Sequence, residues 1–133
     1  MSAIIGIGTD IIEIERVQKA CVSENFCQKT FTAKELAYAS AKGLSRMATL
    51  AACFAGKEAV AKCLGTGFRG FRPIHVEILR DALGKPYVIL YGRALEIARE
   101  KGIIAWHISL SHCQETAIAF AMAEGNGLSE RIF

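Results

Sequence analysis

The sequence predicts an α+β fold with a small, mostly antiparallel sheet, on three observations. A lone β-branched segment stands at the N-terminus, two later pairs of strand-like segments are each joined by a turn, and helix-patterned stretches lie between them. A length of 133 residues suits a single domain, 1–133, and is too short for two independent cores. A hydrophobic share of 52% against 22% charged residues excludes a disordered chain. The 12 glycines and the alanine-rich helical stretches predict thin, closely packed elements and an apolar surface shared with further copies of the chain.

The elements follow in order. Residues 3–8, β-branched and bounded by glycine, form a first strand ending at Thr9-Asp10, and a helix runs from about Glu13 to Cys21. "TAKE", Thr32 to Glu35, has capping-box spacing and opens a short helix through about Lys42. Ser45 is placed to cap the longest helix, which runs to Cys63 or Leu64 and stops at Gly65. After the glycine-rich "GTGFRGFRP", the segments "IHVEIL" and "PYVIL" flank a turn in "RDALGK" and make a hairpin. "GRALEIAREKG" has helical spacing at Leu95, Ile97 and Ala98 and ends at Gly102. "WHISLSHC", a Gln-Glu turn and "TAIAFAMAE" form a second hairpin, leaving residues 125–133 as a mobile tail.

The formal charge of +3 is too small and too scattered for a nucleic-acid partner but suits an acidic or phosphorylated one. Five cysteines at 21, 27, 53, 63 and 113 have no C-x-x-C spacing and read as reduced, buried thiols. With neither a signal-peptide pattern nor an apolar run near the ~20 residues of a membrane span, a soluble cytoplasmic protein is expected.

Two acids stand out. "GIGTDI" lacks the third glycine of a dinucleotide fingerprint, which leaves Asp10 among isoleucines, either as a helix cap or as a ligand at the strand's end. On a helical projection from Phe54, Met47 falls at roughly 20°, Glu58 at roughly 40° and Ala51 at roughly 60°, so Glu58 lies inside the apolar stripe. It either pairs with Lys62 one turn on or shares a hard cation with Asp10. Magnesium suits two carboxylates, since it keeps several waters and takes phosphate oxygens. Lys57, Lys62 and the "GTG" loop then offer charge and backbone donors for phosphates, and Ser111 and His112 are further partners. His112 beside Cys113 is no catalytic pair, because successive strand residues face opposite ways.

Together "GIGTDIIEIER", "FAGKEAVAKCLGTGF", "LGKPYV" and "SLSH" resemble the holo-acyl-carrier-protein synthase family of 4′-phosphopantetheinyl transferases, in order and spacing along essentially the whole chain. The resemblance implies that Asp10 and Glu58 hold magnesium, with Glu58 and Lys62 catalytic. Coenzyme A is then the donor, a serine of an apo acyl carrier protein the acceptor, and adenosine 3′,5′-bisphosphate the product. Coenzyme A would meet Lys57, Lys62, Gly65, Ser111 and His112, with the turn Gly84, Lys85, Pro86 at its nucleotide end. Arg16 and Lys19 would face the acidic carrier. A homotrimer with active sites between subunits is implied as well. Three departures stand against the family pattern: Cys53 replaces a basic residue, the first helix has fewer arginines, and Ile12 stands where larger relatives have a second acid.

The implied reaction is in-line attack by the carrier serine on the β-phosphorus of coenzyme A. Glu58, a water on the metal and Glu35 are all open as the base. Two rivals are a non-catalytic carrier- or nucleotide-binding module and a cysteine-dependent acyltransferase.

Overall fold

The computed structural model describes residues 2–126. Strand β1 (Ser2–Glu13) is followed by α1 (Ile14–Ala20), α2 (Glu24–Thr30), α3 (Ala33–Ser40) and the long α4 (Arg46–Cys63). Strands β2 (Val76–Arg80) and β3 (Pro86–Leu90), helix α5 (Gly92–Glu100), and strands β4 (Ile103–His112) and β5 (Thr116–Asn126) complete the chain. The expected α+β class holds, with every pairing antiparallel and the strands divided between a three-stranded sheet, order β1-β5-β4, and the β2-β3 hairpin.

Four expectations are corrected. The first strand does not stop at Thr9-Asp10: it stays paired with β5 through Asp10↔Ala119 to Glu13↔Thr116, so Asp10 is a strand residue and caps no helix. Helix α2 was not foreseen; its seven residues carry no apolar stripe, and Ser23 starts it by accepting from the Phe26 amide at 3.2 Å. Gly125 and Asn126 belong to β5, opposite Ala3 and Ser2, and the remainder of the expected tail lies outside the described residues. Among the five free thiols Cys27, Cys53 and Cys63 are buried, while Cys21 is half-buried and Cys113 exposed. The capping box is present in both directions: Thr32 Oγ1 accepts from the Glu35 amide, and the Thr32 amide donates to Glu35 Oε1.

The core lies where α4 crosses the three-stranded sheet. Strand periodicity puts Gly6, Gly8 and Asp10 of β1 on the same face as the buried Ala117, Ala119, Ala121 and Ala123 of β5. That face is nearly flat because its residues are so small. A Cβ on Gly6 would collide with the Cys63 carbonyl, and one on Gly8 with the Ala59 carbonyl and with Lys62 Cβ at 2.9 Å. The glycines of "GIGTD" therefore serve close helix-on-strand packing, which carries Glu58 and Lys62 onto the strand that bears Asp10. Ala51, Ala55 and Ala59 complete the approach from the helix side. Gly65, at φ +77°, ends α4 in the left-handed conformation that favours glycine.

The opposite face of the sheet is apolar and open. Ile7, Ile11, Ile118 and Phe120 are each at least 42% exposed there. No helix of the described residues is long and apolar enough to cross a membrane.

Candidate active site

The two acids singled out by the sequence converge. Glu58 is half-buried on α4 with its carboxyl pushed above the usual carboxylate range, first by desolvation and second by the negative charge of Asp10, with Lys62 opposing. The Lys62 ammonium does not close a local pair with Glu58 one turn back. It crosses to β1, donating to the Thr9 carbonyl at 2.7 Å and lying 3.4 Å from Asp10 Oδ1. The result is two mutually repelling carboxylates and one lysine on a helix-strand seam. Among the described residues no cluster of three or more acidic, histidine or cysteine ligands exists. A pair of hard oxygen donors fits magnesium, which commonly takes one or two protein carboxylates and fills its other positions with water and phosphate. Gly65 lies just past Lys62, its own amide bonded to the Lys62 carbonyl at 3.0 Å.

Lys57 is a correction. It is fully buried, and its ammonium donates to Glu35 Oε1 at 2.8 Å, the Val76 carbonyl at 2.6 Å and the Pro73 carbonyl at 3.1 Å. Three donors meet three acceptors, so Lys57 has nothing left for a phosphate. Glu35 is corrected with it. This buried carboxylate accepts from Lys57, the Thr32 and Ile78 amides and the Cys53 thiol, which leaves no free oxygen to act as a base. Cys53 itself is buried, and its thiol is pushed well above the ordinary value by burial and by Glu35.

Ser111 and His112, the last residues of β4, border an open cavity of about 430 Å³ with Tyr38, Lys42, Ser45, Thr49 and Arg80. Its lining holds two permanent cations, a histidine and four hydroxyls, and no carboxylate. The Lys42 ammonium and the Arg80 guanidinium stand 4.8 Å and 5.4 Å from the centre of the Tyr38 ring. Arg80 also donates to the Gly84 carbonyl at 3.3 Å, which ties the Gly84-Lys85-Pro86 turn to this cavity. The turn is set by Asp81 Oδ1, accepting from the Leu83 and Lys85 amides at 2.9 Å each. Tyr38, Lys42 and Arg80 were missed because the end of α3 and the end of β2 meet only in the fold, and the three share no local motif.

On α1, Lys19 is exposed and paired with Glu15 at 2.8 Å. Arg16 instead borders an apolar groove of about 140 Å³ formed with Ile12, Val17, Ala20, Phe26 and Phe54. Phe26 and Phe54 were not foreseen here, and the helical projection placed Phe54 only in a stripe.

The chain is similar over nearly its whole length to proteins of one family. A family model described as the 4′-phosphopantetheinyl transferase superfamily matches residues 6–121. A holo-[acyl-carrier-protein] synthase of Clostridium novyi is 49% identical over 122 residues, 91% of this chain and 88% of that protein. Among solved structures, the holo-ACP-synthase of Plasmodium yoelii aligns with a TM-score of 0.81 at 33% identity, covering 96% of this chain and 99% of that one. The Bacillus anthracis holo-(acyl-carrier-protein) synthase in complex with CoA (3′,5′-ADP) aligns with a TM-score of 0.76 at 33% identity, covering 92% and 98%. The chain therefore belongs to the 4′-phosphopantetheinyl transferase superfamily and, within it, to the holo-acyl-carrier-protein synthase family.

Proposed function

We propose that this protein transfers the 4′-phosphopantetheine arm of coenzyme A to a serine of an apo acyl carrier protein and releases adenosine 3′,5′-bisphosphate. The observation that carries the reading is the convergence of Asp10, Glu58 and Lys62 on one helix-strand seam. Asp10 and Glu58 would hold a magnesium ion, which when bound offsets the charge of the pyrophosphate and of the leaving bisphosphate. Lys62, with its ammonium half in solvent, is placed to bond the same phosphate oxygens. With Glu35 saturated, Glu58 is the carboxylate of this seam proposed to accept the serine proton.

The cavity of Tyr38, Lys42, Arg80, Ser111 and His112 is the proposed seat of the phosphorylated nucleotide end. The Bacillus anthracis relative was solved with CoA (3′,5′-ADP), which supports a donor of this class. Arg16 and its apolar groove are the proposed carrier contact, suited to an acidic helix with one apolar residue to seat. The open sheet face of Ile7, Ile11, Ile118 and Phe120 is the proposed subunit interface of a homotrimer with active sites between subunits. Free thiols suit the cytoplasm, where a carrier of fatty-acid synthesis is the proposed acceptor.

The test is incubation of purified protein with coenzyme A, magnesium and an apo carrier, followed by intact mass of the carrier and chromatography of the nucleotide. Arm addition with release of adenosine 3′,5′-bisphosphate is expected. An unmodified carrier would make the protein a binding module instead. Inhibition by thiol alkylation with indifference to chelator would point to a cysteine-dependent acyltransferase.

A further inference from the structure

The geometry points to Lys57 as a positioning residue for donor recognition that acts through Glu35: it neutralises the buried carboxylate and so leaves the Arg80 guanidinium facing the cation-lined cavity. This rests on the reading of that cavity as the seat of coenzyme A's phosphorylated nucleotide end.

The Glu35 carboxylate stands directly behind the cavity. A narrow crevice lined by Glu35, Tyr38, Cys53, Ile78 and Arg80 separates the two. The carboxylate and its partners lie on three of the four elements that build the cavity wall. Glu35 lies one turn before Tyr38 on α3, Ile78 lies two residues before Arg80 on β2, and Cys53 lies one turn after Thr49 on α4. A single buried group thus fixes where the walls stand relative to one another.

Its charge matters as much as its bonds. A carboxylate taken out of water demands a counter-charge, and in a low-dielectric setting it draws on the nearest available cation. Lys57 meets that demand from inside, fully buried at 2.8 Å. Arg80 is on the other side of the crevice. Among the described residues it donates to the Gly84 carbonyl at 3.3 Å and lies over the Tyr38 ring, and its charge already reaches the Cys53 thiol. Without the lysine, Arg80 is the cation placed to turn inward. The cavity would then lose the group that distinguishes a phosphate from a hydroxyl.

The test compares kcat/KM for coenzyme A and for 3′-dephospho-coenzyme A in the full-length protein with an apo carrier, well below the melting temperature. The wild type is expected to prefer coenzyme A by roughly tenfold or more, a bidentate guanidinium-phosphate contact being worth at least that. Lys57→Met should lose most of this preference through KM for coenzyme A, while KM for the carrier stays put. Lys57→Met/Glu35→Gln, which removes both charges and keeps the shape, should restore the preference to within about twofold of wild type. General destabilisation predicts neither the selective loss nor the rescue.

A Lys57→Met variant that still discriminates like the wild type overturns the inference alone, as does a double variant no better than the single. A wild type indifferent to the 3′-phosphate overturns the reading of the cavity, and the inference with it. If Lys57→Met does not fold, the double variant decides: preference kept within about twofold supports the inference, and a loss of about fivefold or more overturns it.

Discussion

Lys62 reaches from α4 to Asp10 on β1, its ammonium 3.4 Å from Oδ1, and so joins two residues 52 positions apart in the sequence. Glu58 lies beside this pair on the same helix, desolvated and repelled by Asp10. The seam is electrostatically unfavourable in its acids and needs positive charge to be stable. That property is what a magnesium-pyrophosphate site requires.

Glu58→Gln should therefore stabilise the protein in chelator while removing transfer. The carboxyl's folded pKa is raised above its unfolded value, so the ionised form is disfavoured in the folded state. The cost is fully present above the raised pKa and vanishes as pH falls into the ordinary carboxylate range. Melting temperatures in chelator should be higher for Glu58→Gln than for wild type at pH 7.5, with the gap closing towards pH 4. Equal curves at both pH values would contradict the proposed repulsion.

Gly8→Ala should loosen the seam itself. The added methyl meets the Ala59 carbonyl and, at 2.9 Å, Lys62 Cβ, neither of which can move without shifting α4. Overpacking of this kind costs about 1–3 kcal/mol, readable as a lower urea midpoint at unchanged m-value. Transfer should fall further than stability alone explains, since the helix that carries Glu58 is displaced from Asp10. Unchanged stability would show that the close approach is not tight.

Donor and carrier contacts should separate. Lys62→Ala should raise KM for coenzyme A by roughly tenfold, the scale of one lost charge-assisted hydrogen bond, with little effect on the carrier. Arg16→Glu should do the reverse, and its effect should shrink with added salt because the contact is exposed. Equal losses for both substrates in either variant would refute these assignments.

The open sheet face can be tested without activity. Ile118→Asp places a charge among Ile7, Ile11 and Phe120, on a face that the fold leaves uncovered within one chain. Sedimentation should report a trimer for the wild type and a folded monomer for the variant. A wild type that sediments as a monomer would remove the assembly from the account.

What the sequence made legible was what its local patterns encode. Alternation showed the hairpins, the 3.6-residue period showed α4, and Thr32 with Glu35 showed a capping box, because each signal lies within a few residues. The same Glu35 also anchors a buried ion pair with a lysine 22 positions away, which no local pattern encodes. A helical projection gave Glu58 an inward face, and the packing corrects it: between Leu50 and Cys63 the residues of α4 that are not buried are Phe54, Glu58 and Lys62, so the projected stripe is the helix's partly exposed edge. It could not show that Lys57, 100° around the same helix, meets acceptors from Glu35, Pro73 and Val76 rather than solvent phosphate. Asp10 was singled out from its place among isoleucines, yet the extent of its strand depended on β5, more than a hundred residues on. The cation-lined cavity is assembled from α3, α4, β2 and β4, so its members were scattered single residues until the fold brought them together.

The most direct measurement is the rate of arm transfer to an apo carrier against free magnesium, starting from chelator-treated protein, for wild type, Asp10→Asn and Glu58→Gln. The account predicts no transfer by the wild type in chelator and saturable recovery with magnesium. Each variant should either fail to recover or need at least roughly tenfold more of the ion. Full-rate transfer in chelator, or a magnesium response in both variants indistinguishable from wild type, would contradict it.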